Sequence, residues 1–277
     1  MPRADVSGMT FEYEIQGPAG GEVVLLVMGA GGQLTLWPQG LLDLLVDKGF
    51  RVVTYDARDV GLSERVDSAY GLGDMAADAA GLLDAVEVPA AHVVGVSMGG
   101  MVAQLLATDH PDRVLSLTSI MSTTANPELP GTPPELVAAF LTAPPDPGED
   151  LEVFLDHSVA NARRTQSPAY PADERSLREQ FAGDYRRAHH PAGLVRHHEA
   201  IVAAADRRPK LKGVAVPALV IHGEEDPLVP PECGRDTAAA IPGAELLLVP
   251  GMGHDLPPQL LALFADAIDG IARRARG

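Results

Sequence analysis

The clearest candidate for chemistry in this sequence is a serine between two glycines. The segment Gly95–Gly99 reads Gly-Val-Ser-Met-Gly; it follows an apolar run and precedes residues with helical spacing. A serine at such a tight strand-to-helix turn is held in a strained backbone conformation that exposes its hydroxyl, and the helix N-terminus behind it favours developing negative charge. Ser97 is therefore the candidate nucleophile of an acyl-transfer reaction.

A serine hydroxyl needs a histidine to take its proton and a carboxylate to fix the tautomer of that histidine. Asp226 lies just past a predicted strand, and His254 ends the segment Pro-Gly-Met-Gly-His after the last predicted strand. The order Ser, Asp, His and the position at strand C-terminal ends favour these two residues. Glu224 and Glu225 compete with Asp226 for the acid role, but we interpret them as loop carboxylates.

The other histidines are assigned no catalytic role. We interpret His92, His110 and His222 as structural. His197 and His198 are adjacent in a predicted helix, and we expect them on its solvated face; lining the entrance to the site is the alternative.

Acyl transfer also needs N–H donors for the tetrahedral oxyanion, normally the amide after the nucleophile and one from the loop after an early strand. Met98 supplies the first amide. In the segment Met28–Gly32, the Ala30 amide is the better candidate for the second. The rival interpretation, a dinucleotide-binding loop, is poor because Leu34 stands where Gly-x-Gly-x-x-Gly requires its third glycine.

Apolar runs and helical patterns alternate over most of the chain. Thr10–Ile15 alternates polar and apolar residues as a half-buried strand does, and a glycine-rich turn leads to the wholly apolar Val23–Val27, an antiparallel opening. Further strands are predicted at 51–55, 92–96, 114–120, 218–221 and 245–249, with helices at 41–48, 75–86 and near the end of the chain. This alternation predicts an α/β fold with a mainly parallel, doubly wound sheet.

The segment between the predicted strands at 114–120 and 218–221 is too long for one crossover. Its seven prolines between residues 127 and 147 predict a stiff linker without regular structure, and helices are predicted at 151–162, 174–187 and 194–205. We therefore expect a helical cap at residues 123–210, inserted into a core domain formed by residues 1–122 and 211–277.

A cap of this kind covers the strand ends and walls the substrate pocket with apolar side chains. Some of its phenylalanines must also form the cap's own core. The candidate substrate-binding residues are Phe140, Phe154, Phe181 and Tyr185 in the cap, facing Trp37, Met98 and Met121 in the core domain.

Charge and composition restrict the partners. The 277 residues include 38 acidic and 21 basic side chains, a formal charge of -17, which disfavours nucleic acid and anionic membranes as partners. The single cysteine cannot form an internal disulfide, and the longest early apolar run is too short to span a membrane. We expect a cytoplasmic protein, although the mature form of an exported one would look the same.

The sequence resembles the α/β-hydrolase family over nearly all of the predicted sheet domain. The resemblance is carried by Leu25–Gly29, Tyr55–Ser63, Gly95–Gly100 and Pro250–His254. These segments are most similar to the branch that contains aclacinomycin methylesterase, which demethylates a polyketide methyl ester with a serine triad. A polyketide methyl ester is therefore one candidate substrate, but the cap does not carry the resemblance.

The resemblance implies catalytic roles for Ser97, Asp226 and His254 and oxyanion donors at the amides of Met98 and Ala30. Relatives whose oxyanion loop begins His-Gly differ from this chain, which has methionine there; a backbone donor survives that change. Relatives that act on epoxides or haloalkanes use an aspartate nucleophile, so the serine argues against both.

We therefore predict hydrolysis of a small-molecule carboxylic ester, a mechanism that needs no metal or organic cofactor. The same triad supports carbon–carbon bond hydrolysis and perhydrolysis, which only substrate assays separate. A non-catalytic ligand-binding receptor on the same fold is a third, less favoured interpretation. The natural ester and the oligomeric state are left open by the sequence.

Overall fold

The computed structural model describes residues 2–142 and 151–276 of the chain. Within them the apolar runs form an eight-stranded sheet. Its strands are β1 (Arg3–Val6), β2 (Met9–Gln16), β3 (Val23–Val27), β4 (Arg51–Tyr55), β5 (Ala91–Val96), β6 (Val114–Ile120), β7 (Ala218–Gly223) and β8 (Glu245–Val249).

The spatial order of the strands is β1-β2-β4-β3-β5-β6-β7-β8. β2 pairs antiparallel with β1 and β4, and every pairing from β4 to β8 is parallel. The predicted α/β fold with a mainly parallel sheet is confirmed. The opening strand β2 is antiparallel, as expected, but it lies beside β4 rather than beside β3, which follows it in sequence.

Helices connect the strands and cover the sheet. They are α1 (Gln39–Asp47), α2 (Leu72–Ala85), α3 (Met98–Asp109), α4 (Pro134–Leu141), α5 (Leu151–Arg163), α6 (Glu174–Arg187), α7 (Pro191–Val202), α8 (Arg208–Leu211), α9 (Pro231–Ala240) and α10 (Leu261–Arg274). Among the described residues, none of them is both long enough and apolar enough to cross a membrane.

The buried strand β3 shows how the two faces of the sheet are filled. Leu25 and Val27 belong to a hydrophobic cluster with residues of α2 and α3, whereas Val24 and Leu26 belong to another with residues of α1 and α10. Because successive side chains of a strand point to opposite faces, the helices form a layer on each side. This two-sided cover explains why β3 is apolar without alternation.

The expectation that the proline-rich stretch has no regular structure is wrong for part of it. Helix α4 begins at Pro134, with Pro133 before it. Proline is tolerated in the first helical turn because the N–H that it lacks would have no intrahelical acceptor there. The last three prolines of the stretch, at 144, 145 and 147, lie outside the described residues.

Helices α4 to α8 lie between β6 and β7, where the cap was expected at residues 123–210. The cap contains a small hydrophobic cluster of its own: Phe154, Leu155 and Ala182 are buried, and Phe181 and Tyr185 pack against them. The bounds of the cap stay a prediction.

Candidate active site

Ser97 lies at the sharp turn between β5 and α3, as its motif predicts. Its backbone has a φ of +54° and a ψ of −122°, a strained conformation for a residue with a side chain. Its N–H donates to the Ile120 carbonyl at 2.9 Å, and its own carbonyl accepts from Ser122 Oγ at 2.8 Å. Neighbouring β6 and the residues after it therefore hold the strained turn in place.

The glycines on either side of Ser97 are required by close packing. A Cβ on Gly95 would lie 2.1 Å from the Gly99 carbonyl oxygen, and a Cβ on Gly99 would lie 2.1 Å from the Val27 carbonyl oxygen. Both distances are far below van der Waals contact. The Gly-x-Ser-x-Gly spacing thus lets the turn close on itself and against the end of β3.

His254 joins Ser97 to Asp226 through two hydrogen bonds. Its Nε2 lies 3.0 Å from Ser97 Oγ, and its Nδ1 lies 2.7 Å from Asp226 Oδ2. Because a carboxylate only accepts, Nδ1 carries the proton and Nε2 is left to accept from the serine hydroxyl. This is the tautomer that a general base facing the serine needs.

The carboxylate of Asp226 is oriented by its own loop. Its Oδ1 accepts from the N–H groups of Leu228 and Val229, each at 2.9 Å, which leaves Oδ2 for His254. Asp226 is buried, whereas Glu224 and Glu225 are exposed. Of the three carboxylates that compete for the acid role in the sequence, only Asp226 contacts the histidine.

The two candidate oxyanion donors lie on elements that meet at Ser97. Met98 is the first residue of α3, where N–H groups have no intrahelical acceptor. Ala30 follows Gly29, at which an added Cβ would lie 3.3 Å from Ser97 Cβ. The loop after β3 therefore passes directly against the nucleophile.

The loop that carries His254 is held by the connector between α5 and α6. The N–H of His254 donates to the Thr165 carbonyl at 2.7 Å, and that of Gly253 donates to Ser167 Oγ at 2.8 Å. Ser167 also bonds Asp255 through its hydroxyl and through its N–H, the latter at 2.9 Å. Burial raises the pKa of the Asp255 carboxyl, although the bonds from Ser167 oppose that rise.

The loop after β3 is held by α7. His197 Nδ1 lies 3.1 Å from the Gly31 amide nitrogen, and its Nε2 lies 2.9 Å from the Arg58 carbonyl oxygen. Next to it, the Arg196 guanidinium makes two bonds of 2.8 Å with the Asp59 carboxylate. The expectation that His197 lies on a solvated helix face is wrong, because its side chain is fully buried against the core domain.

A further cap contact involves Asp56 at the end of β4. Its carboxylate is buried and accepts from the N–H groups of Leu34 and Leu62, at 2.7 and 2.9 Å. Arg187 of α6 lies 2.7 Å from the same carboxylate. Burial raises the pKa of Asp56, while these three donors act to lower it. The Asp56 carboxylate thus joins two loops of the core domain to helix α6 of the cap.

An apolar cavity of about 270 Å³ lies between α4, α5 and α6. Phe140 and Phe181 line it, together with Leu228 and Thr165. These last two bond directly to the catalytic groups: Leu228 N–H to the Asp226 carboxylate and the Thr165 carbonyl to the His254 N–H. The cavity therefore borders the loops of the acid and the base.

The other candidate substrate-binding residues lie elsewhere. Trp37 and Met121 are buried in the hydrophobic cluster on the α1 and α10 side of the sheet. Phe154 and Tyr185 belong to the cap's own cluster, where their rings lie 4.9 Å apart. A substrate contact at these four positions stays a prediction.

The sequence analysis did not identify His197, Ser167 and Asp255 as parts of the site's support. For His197 a signal exists: it shares one helix face with Gly193 and Ala200, and all three are buried. For Ser167 and Asp255 there is none, since they lie in connectors and are 88 residues apart.

Comparison with known proteins shows the family of this chain. The family described as having the alpha/beta hydrolase fold matches residues 22–258. The chain belongs to the α/β-hydrolase family. This hydrolase is 34% identical to rhodomycin D methylesterase DnrP of Streptomyces peucetius, over 90% of this chain and 91% of that protein. DauP of Streptomyces sp. (strain C5), also named a rhodomycin D methylesterase, is 32% identical, again over 90% of this chain and 91% of that protein.

Solved structures agree on the fold of this hydrolase. The enol-lactonase from Burkholderia xenovorans LB400 matches with a TM-score of 0.80 and 28% identity, over 98% of this chain and 100% of that one. A meta-cleavage product hydrolase from Pseudomonas fluorescens matches with a TM-score of 0.83 at 19% identity, over 99% and 98% of the two chains, which shows a shared fold alone. The family predicted from the sequence is confirmed.

Proposed function

We propose that this α/β-hydrolase cleaves a small-molecule carboxylic ester through an acyl-enzyme formed on Ser97. The enzyme class, a carboxylic ester hydrolase, is confirmed by the methylesterase relatives. The observation that carries the residue assignment is the continuous chain of hydrogen bonds from Ser97 Oγ through His254 to Asp226. A serine held in a strained turn and bonded to an oriented imidazole is the arrangement that acyl transfer needs.

The proposed steps follow from the positions of these groups. Ser97 Oγ attacks the ester carbonyl carbon while its proton passes to His254 Nε2. The amides of Met98 and Ala30 donate to the oxyanion, and Asp226 stabilises the imidazolium. His254 returns the proton to the departing alcohol, then deprotonates the water that attacks the acyl-enzyme. Breakdown of the second intermediate releases the acid and restores Ser97.

The cavity beside the triad supports a substrate with an apolar part. Most of its exposed lining is apolar, from Phe140, Phe181 and residues of α4, while α5 adds the polar side chains of His157, Ser158 and Asn161; it reaches the loops of Asp226 and His254. Binding sites for small molecules are mostly apolar and carry a few polar groups that orient the ligand. We assign this cavity of about 270 Å³ to the apolar part of the ester.

Substitution of the nucleophile tests the proposed chemistry. Ser97→Ala removes one oxygen from a half-buried side chain, so the fold should persist while turnover of chromogenic esters falls by at least about a hundred-thousandfold. Covalent labelling by a fluorophosphonate should be lost in the same variant. If the folded variant keeps more than about a thousandth of the parent rate, the assignment of the nucleophile is wrong.

A matched pair of phenylalanines tests the cavity. Phe140→Ala removes part of a wall and enlarges the cavity. It should change the ranking of esters of graded chain length, with a difference in activation free energy of about 1 to 3 kcal/mol per methylene accommodated. Phe154→Ala makes a hole in the cap's own cluster, so it should lower the melting temperature and leave the ranking unchanged. A chain-length profile that changes with Phe154 and not with Phe140 would contradict the assignment.

A further inference from the structure

The loop that carries the Ala30 amide is a tight turn whose shape depends on one peptide plane. Gly32 N–H donates to the Gly29 carbonyl at 3.1 Å, and Gly31 has a φ of +70°, whereas Ala30 has no positive φ. These features define a type II turn, in which the third residue takes a positive φ and is usually glycine. The type I form of the same four residues is reached by rotating the central peptide, here Ala30–Gly31.

His197 of α7 holds that central peptide. The Gly31 N–H belongs to it and donates to His197 Nδ1 at 3.1 Å. Because an amide N–H only donates, Nδ1 must be unprotonated, and the ring proton sits on Nε2, which donates to the Arg58 carbonyl at 2.9 Å. Burial lowers the pKa of His197 to about 4, which keeps the ring neutral near neutral pH.

Helix α7 also packs directly on the turn. A Cβ on Gly31 would lie 2.9 Å from Leu194 Cδ1, so the leucine one turn before His197 covers the same glycine. Gly193 lies against the Asp59 backbone, where its own Cβ would be 2.0 Å from the carbonyl oxygen. Helix α7 is thus packed tightly on the core domain within about one turn of His197, and this packing fixes the position of the imidazole.

We propose that His197 is a positioning residue for ester hydrolysis: it holds the Gly29–Gly32 turn, and with it the Ala30 amide, in place against Ser97. The inference rests on the proposed function of Ser97 and its oxyanion donors. When the bond to Gly31 is absent, the Ala30–Gly31 peptide loses its side-chain anchor on α7. The Ala30 N–H belongs to the preceding peptide, so it is displaced as far as the unanchored turn as a whole shifts from Ser97.

Two substitutions at His197 separate the positioning role from simple packing. His197→Asn places an amide oxygen near the position of Nδ1, so it keeps the acceptor for Gly31. His197→Gln places an amide nitrogen near the position of Nε2, so it keeps the donor to Arg58 and loses that acceptor. The helix propensities of the three residues differ little, so neither variant should melt α7.

The expected result is a difference between the two variants in kcat and not in KM. Removal of a whole oxyanion donor costs about 100- to 1,000-fold in kcat. A displaced donor should cost less, on the order of 10- to 100-fold for His197→Gln, and about threefold or less for His197→Asn. KM should stay within about twofold, because the cavity that holds the substrate is not touched. His198→Gln, the same substitution at the next position, is the matched control and should leave kcat unchanged.

Amide hydrogen exchange at Gly31 gives a second readout that does not depend on activity. Exchange should accelerate in His197→Gln and stay slow in His197→Asn. The inference is overturned if the glutamine variant keeps the parent kcat and slow exchange, or if both variants lose activity equally. If the parent protein turns over no ester and resists fluorophosphonate labelling, the proposed function fails, and the exchange rates alone decide whether His197 holds the turn.

Discussion

Two halves of the catalytic site are supported by different parts of the molecule. Ser97 is held by β6 and the residues after it, and the Asp226 carboxylate is held by its own loop. By contrast, the His254 loop bonds to Thr165 and Ser167, and the oxyanion turn bonds to His197. The bonds to the nucleophile and the acid thus come from the core domain, whereas the loops of the base and of one oxyanion donor are also bonded to the cap.

This difference indicates that the cap also supports groups of the catalytic site. A cap that only covered the pocket could be altered with little effect on the reaction of a small activated ester. Here α7 and the α5–α6 connector bond to the backbone of Gly31 and Gly253, the residues next to Ala30 and His254. Changes in the cap should therefore lower the rate for small and large esters alike.

The largest effect is expected in the half held by the core domain. In Asp226→Asn the amide oxygen should keep the bonds to Leu228 and Val229, so the amide nitrogen faces His254 Nδ1. That donor forces the ring proton onto Nε2, the wrong tautomer, with a loss on the order of ten-thousandfold in kcat. The measurement is kcat on a chromogenic ester, with circular dichroism to verify folding.

The control for this change is Glu225→Gln in the same loop. Its carboxylate is exposed, so we expect a rate within about twofold of the parent, since surface substitutions rarely matter much. A severe loss in Glu225→Gln, with Asp226→Asn near normal, would move the acid role within the loop.

In the half held by the cap, acid should weaken the packing of His197. Its pKa is lowered by burial from 6.5 to about 4, despite the bond to the Arg58 carbonyl and the charge of Asp59. The Arg58 and Arg196 guanidiniums also face it and add to the lowering, and Tyr70 packs edge-on at 6.2 Å. Because the unfolded chain binds a proton that the folded protein does not, this contribution is complete above pH 6.5 and is lost as the pH falls toward 4.

The loss should amount to at most about 3 kcal/mol of unfolding free energy, from the size of the shift. Denaturant unfolding of the parent and of His197→Gln at several pH values checks it. The stability difference between the two proteins should shrink between pH 6.5 and 4. A difference that is constant over this range would contradict the assignment of a buried neutral imidazole.

A smaller effect is expected for Ser167→Ala. The change removes the acceptor of the Gly253 N–H and one of the donors to Asp255. An unpaired buried donor should cost about 1 to 3 kcal/mol of stability. We expect kcat to fall by about tenfold, since 1.4 kcal/mol in the placement of His254 corresponds to that factor.

Ser176→Ala is the matched control in the cap. Its hydroxyl bonds to Asp173 at the exposed start of α6, far in the chain from either catalytic loop. A fall in kcat equal to that of Ser167→Ala would mean that general loosening of the cap, and not the bond to the His254 loop, is responsible.

The core domain could be predicted from the sequence in much greater detail than the cap. The bounds of β3, β4 and β6 follow the apolar runs, because buried parallel strands have a strong and continuous signal. The bounds of β8 follow an apolar run as well, although this edge strand is only partly buried. The hydrophobic patterns of helix α9, which has few large apolar residues, and of the short edge strand β1 were too weak to predict either element. The prolines at the start of α4 were interpreted as helix breakers, although Pro134 is the first residue of the helix and Pro133 directly precedes it.

The positions of the triad residues at strand ends follow from local motifs, since each lies next to a strong strand signal. The contacts that support them do not, because they join distant segments. His197 lies 166 residues from Gly31, and Ser167 lies 86 residues from Gly253. No local periodicity encodes a partner so far along the chain.

These long sequence separations have a consequence for folding kinetics. Closing a loop of that length is entropically costly, so contacts of this kind tend to form after local structure. Strands β3, β4, β5 and β6 pair over shorter separations, so during refolding this part of the sheet, with its strained Ser97, can form before the connector of the cap reaches the His254 loop. We therefore expect far-UV ellipticity to recover before esterase activity, through an intermediate that has the nucleophile in place and His254 not yet positioned.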